Sequence, residues 1–174
     1  MPDIISAKKV LGLLEASSAF SEWRKDNPEP YLCHIFFILK KDSDQCQIGY
    51  YDKEKDLITS FDVEGEDASL HSTEKPFKPE GMKVNKTDIS KVNIDFKEAI
   101  AIVEDLQKTK YPAEMPVEII AILQNIDGIG IVYNITHVTK SFKTLNVKVS
   151  ADNGDIMDEQ LVSIVQFPQK DTGQ

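Results

Sequence analysis

Tyr31-Leu32-Cys33-His34-Ile35-Phe36-Phe37-Ile38-Leu39 is apolar on both alternating faces. Successive strand side chains point to opposite sides of a sheet, so a strand of this kind needs cover above and below. Upstream, Ala7, Val10, Leu11, Leu14, Phe20 and Trp23 recur at spacings near three and four, with charged and small polar residues between them. This pattern predicts an amphipathic helix over residues 4–23 that covers one face. Pro28 and Pro30 end the helix and release the chain into the strand. Downstream, residues 40–45 read as a turn, 46–51 as a strand, 52–56 as a second turn and 57–63 as a third strand. The order is helix, strand, strand, strand.

From 64 to 90 the periodicity lapses into Gly65, Glu66, Asp67, Ser69, Pro76, Pro79 and Gly81, which predicts a surface connector. It returns in Phe96, Ala99, Ile100, Val103 and Leu106, a second amphipathic helix with Asp95 at its start and Lys108 and Lys110 at its end, as the helix dipole favours. Tyr111-Pro112 stops it. Strands follow over 117–123, 129–135 and 145–149, separated by Asp127-Gly128 and Lys140-Ser141. Asp152-Asn153-Gly154-Asp155 is the strongest turn signal in the chain and leads into a last strand at Ile156 and 161–167. The second stretch repeats the element order of the first. The sequence therefore predicts an α+β protein of two repeated units, each one helix on a three- to four-stranded antiparallel meander, with boundaries at 1–64, a connector 65–90, a second unit 91–168 and a tail 169–174.

The run Leu145-Asn146-Val147-Lys148-Val149-Ser150-Ala151-Asp152-Asn153-Gly154-Asp155-Ile156-Met157, placed after a helix and a meander, resembles the PepSY family. That family's domains end in a strand, an Asp-x-x-Gly-like hairpin and a strand. Asp152 to Gly154 is one residue tighter, and the resemblance spans residues 95–165. It implies a cystatin-like shape, and a place among domains many of which act as inhibitory or chaperoning segments of secreted peptidases. The first unit has Lys53-Glu54-Lys55 where the second has Asn153-Gly154, so it reads as a degenerate copy.

The 174 residues are 41% hydrophobic and carry a formal charge of −9, with Arg24 as the single arginine. Nucleic acid and anionic membrane both require a basic face, so neither is an expected partner. The N-terminal sequence lacks the basic-then-apolar order of a signal peptide and no stretch approaches a membrane span, which predicts a cytoplasmic location. A hairpin turn near Ser43-Asp44 sets Cys46 opposite Lys41 and about eight residues from Cys33, roughly 26 Å along the ladder, too far for a disulfide.

Cys33 and His34 invite a nucleophile-and-base reading, but neighbours on a regular strand point to opposite faces. His34, His71 and His137 are spread over a strand, the connector and a strand end, and Asp152, Asp155, Asp158 and Glu159 lack calcium-loop spacing. No catalytic residue, metal ligand or cofactor is therefore expected. The first functional expectation is a non-catalytic interaction protein that presents a sheet surface to a protein partner or to a second copy of itself, through Leu32, His34, Phe36 and Ile38 on the face the helix leaves bare. The alternatives are a module for an apolar small molecule, or a regulator of the peptidase-inhibitor kind.

Overall fold

The computed structural model describes residues 6–39, 44–79 and 81–165. Ser6 accepts the Lys9 N–H and opens helix α1 (Ala7–Glu15), and Ser17 accepts the Phe20 N–H at 3.2 Å and opens α2 (Ser18–Asp26). The single helix expected over residues 4–23 is thus two. The Ser17 hydroxyl caps the second helix and donates to the Leu14 carbonyl at 2.6 Å, closing the first. Arg24 then donates to the carbonyls of Asn27 and Pro30 at 3.1 and 2.7 Å, fixing the corner into the sheet.

Eight strands follow among the described residues: β1 (Tyr31–Leu39), β2 (Asp44–Asp52), β3 (Leu57–Glu64), β4 (Asp67–Glu74), and, after a third helix α3 (Phe96–Lys110), β5 (Pro116–Ile126), β6 (Gly130–Thr139), β7 (Lys143–Ser150) and β8 (Ile156–Ser163). They form one antiparallel sheet in the order β4-β3-β2-β1-β5-β6-β7-β8. β4 lies where a connector was expected. As an edge strand with mostly exposed side chains it has no apolar alternation to betray it, and Gly65 at φ +60 supplies the tight turn that sends the chain back from β3. Asp44 and Gln45 belong to β2 and not to a turn. Residues 40–43, where the rest of that turn was expected, the last residues of the expected final strand and the tail at 169–174 lie outside the described residues.

The two four-stranded runs do not stack sheet on sheet. They meet edge to edge, β1 against β5, with His34 opposite Gln124, Phe36 opposite Ile122 and Ile38 opposite Ile120. All three helices lie on one face and enclose one apolar cluster that spans the junction. Phe96 of α3 shows how: its ring centroid sits 4.1 Å from Phe37 on β1 and 4.6 Å from Tyr133 on β6. At about 1.5–3 kcal/mol for each fully buried large apolar side chain, such shared residues bind the halves into one core.

The last hairpin is longer than a two-residue Asn-Gly turn. Gly154 alone takes positive φ, at +81, and its N–H closes onto the Ser150 carbonyl at 2.9 Å.

Candidate functional site

The face of the sheet away from the helices is the candidate site, and a bulge decides which residues reach it. The β1 register against β2 shifts between Leu32 and His34, leaving Cys33 as the extra residue. Leu32 therefore joins Ile35 and Phe37 in the buried helix-side core, although strict alternation put it with His34, Phe36 and Ile38. The bulge inverts the phase at that one point. His34, Phe36 and Ile38 lie on the open face as expected, each half-buried.

Around them the register assembles an uncharged field. Ile120 and Ile122 flank Ile38 and Phe36 on β5, Gln45 and Gln47 flank them on β2, and Asn134 and Thr136 follow on β6. Asn146 donates to Asn134 Oδ1 at 2.7 Å and to Thr136 Oγ1 at 2.8 Å, locking the amides together. Charge surrounds this field: Glu118 follows Ile120 at the end of β5, and the outer strands carry ion pairs. On one side His71 Nδ1 and Asp62 Oδ2 are 2.6 Å apart, and on the other Lys148 Nζ is 3.3 Å from Asp158 Oδ2.

At one end of this face His34 lies across Gly49, where a Cβ would fall 2.4 Å from its Cε1. The bulge also tips Cys33 toward the same end. Its Sγ is 3.4 Å from His34 Nδ1, so the two residues meet, contrary to the opposite-face expectation for a regular strand. Burial opposes activation of this pair. Burial pushes the Cys33 thiol up to about 12 and lowers the imidazole, and the thiol donates to the Gly49 carbonyl at 3.3 Å. Both groups are neutral near pH 7, whereas a nucleophilic cysteine needs its thiolate. Cys46 pairs with Phe37 and not with Lys41, about four residues or 13 Å of strand from Cys33, and both cysteines are free.

His137 is fully buried beneath the helices, neither ring nitrogen has a partner, and burial lowers it to about 4. Around the last hairpin three of the four acids have separate partners: Asp152 has Asn93, Asp158 has Lys148, and Glu159 has Lys110 and Tyr111. Among the described residues no three His, Cys, Asp or Glu side chains gather to hold a metal, and no helix is long and apolar enough to cross a membrane.

No protein-family model and no curated protein matches this chain. Among solved structures it is similar to a Clostridium difficile 630 protein described as a "putative lipoprotein", with a TM-score of 0.55 over 82% of this chain and 90% of that one. At 14% identity the likeness concerns the fold alone.

The bulge and the meeting of Cys33 with His34 escaped the sequence reading. One signal was present: Gly49 in the middle of a strand marks a place where another group approaches the backbone closely.

Proposed function

We propose that this chain is a non-catalytic interaction protein whose open sheet face docks a second copy of itself. One observation carries the reading: the two central rows of that face, Gln47-Phe36-Ile122-Asn134 and Gln45-Ile38-Ile120-Thr136, bear no charged side chain, in a chain that is 28% charged, and Glu118 follows only beyond Ile120 on β5. An apolar centre, an amide and hydroxyl surround and a charged margin are the layout of an association surface. The register favours self-recognition. A two-fold axis along the strands, between β1 and β5, sets each copy's Phe36 over the other's Ile122 and each Ile38 over an Ile120. It also sets the Asp62 flank of one copy over the Lys148 flank of the other. The neutral Cys33 and His34 supply no nucleophile, which supports a binding role over a catalytic one.

The repeated order of helix followed by a four-stranded meander, with the halves joined through their first strands, supports descent by internal duplication. It suits the PepSY-like resemblance of residues 95–165. A peptidase-regulating role is a less direct reading, since it rests on that resemblance alone.

Light scattering over a concentration series tests the proposal. A dimer is expected by about 1 mM, where association is worth only about 4 kcal/mol. Phe36→Glu should leave a monomer with an unchanged circular dichroism spectrum. A wild-type chain that stays monomeric throughout, or a Phe36→Glu variant that dimerises equally well, would overturn it.

A further inference from the structure

The segment between β4 and α3 folds onto one end of the open face and is stitched there from residue 84 onward. Tyr31 Oη donates to the Val84 carbonyl at 2.5 Å, and Asn85 Nδ2 to Asp127 Oδ1 at 2.6 Å. The Thr87 N–H and hydroxyl donate to the Leu32 and Cys33 carbonyls at 2.9 and 2.7 Å. Between this segment and the sheet lies a cleft of about 560 Å³, within the range of small-molecule sites. Cys33, His34 and Ile126 line it from the sheet, and Phe77, Met82 and Val84 from the connector. Phe77 is fully exposed and Met82 half exposed, so large apolar surface stands uncovered at the cleft.

Among the described residues, three lysines, Lys78, Lys83 and Lys148, line the same cleft against one acid, Asp127, whose carboxylate is already engaged by Asn85. This is a local excess of positive charge in a chain of net charge −9. Lys78 is 3.9 Å from Asp56 and Lys148 is 3.3 Å from Asp158, whereas Lys83 has no ion-pair partner among the described residues. Cys33 and His34 add polar atoms without charge, so an apolar group can lie against them without burying an ion.

We propose that this cleft binds a small amphipathic molecule, its apolar body against Phe77, Met82 and Val84 and its anionic head group at Lys83. The proposal does not rest on self-association, because Phe77, Met82, Lys83 and Val84 belong to the connector and the Phe36–Ile122 stripe to the centre of the sheet, with Lys148 common to the cleft and the flank of that stripe.

Titration of the full chain with dodecanoate, dodecyl phosphate and dodecylammonium, each below its micelle concentration, tests it by calorimetry and by the His34 imidazole resonances. At least one of the anions should bind saturably at one per chain and move the His34 signals. The cation should bind about tenfold more weakly or not at all, the size expected of a reversed charge contact. Lys83→Glu should weaken the anion at least fivefold, and Phe77→Ser should weaken it without altering the preference for the anion. Phe36→Glu should leave anion affinity unchanged, whatever it does to association. Equal binding of cation and anions, wild-type affinity in Lys83→Glu, a silent His34, or no saturable binding would each overturn the proposal.

Discussion

Cys33 Sγ lies 3.4 Å from His34 Nδ1, although the two are consecutive residues of one strand. The contact exists because β1 carries one residue more than β2 at this point, which tilts the Cys33 side chain out of strict alternation. A thiol beside an imidazole is the raw material of a nucleophile. Burial opposes it, since removing both groups from water penalises the charged form of each.

Cys33 should therefore be inert in the folded chain. With its thiol raised to about 12, modification by a disulfide reagent near pH 8 should proceed only as fast as the chain opens, and urea should release both cysteines together. Cys33→Ser is expected to lower the melting temperature and leave association untouched. A folded chain whose Cys33 reacts as fast as a free thiol would refute this and restore the enzyme reading.

His137 makes stability fall in mild acid. Its folded value is about 4 against about 6.5 when unfolded, so the unfolded chain takes up the proton first. The stability that rests on the neutral ring is present above about pH 6.5 and is lost as pH falls toward 4. Between pH 7 and pH 5 the loss should be about 2 kcal/mol in urea unfolding. His34, lowered in the same direction, adds to it. His137→Phe should remove more than half of the drop, and an unchanged drop would sink the assignment.

Gly49 holds space for His34. A methyl group there would sit 2.4 Å from the imidazole, so Gly49→Ala should cost about 1–3 kcal/mol. The same change in a His34→Ala background should cost far less, and a double-mutant cycle measures the difference. Equal costs in both backgrounds would mean that the ring yields freely.

The turns of the two halves should differ in tolerance. Gly154 has φ +81, and a Cβ there meets Ile102 Cδ1 at 3.2 Å, so Gly154→Val should cost about 1 kcal/mol or more. In the first half the left-handed residue is Asp56, at φ +52, and not its neighbour Lys55. Lys55→Val should be tolerated where Asp56→Val is not. Thermal melts of the three variants check the order.

Periodicity, prolines and turn residues by themselves determined most of the elements: β1 at Tyr31–Leu39, α3 ending before Pro112, and positive φ at Gly154. These are local choices, governed by side-chain alternation, by the proline ring and by the steric freedom of glycine. Local signals failed where the deciding partner is distant or the strand is wet. Ser17 splits the first helix through a cap that an amphipathic pattern does not disclose, and β4 is polar on both faces. The pairing of β1 with β5 was beyond sequence reach, because any apolar strand edge can pair with another and only the shared burial of Phe37, Phe96 and Tyr133 selects this one. The site divides in the same way. His34, Phe36 and Ile38 reach the open face by alternation alone, whereas the burial of Leu32, the Cys33–His34 contact and the cleft beneath the connector follow from a single bulge and from hydrogen bonds such as Thr87 to Cys33, 54 residues away in the chain.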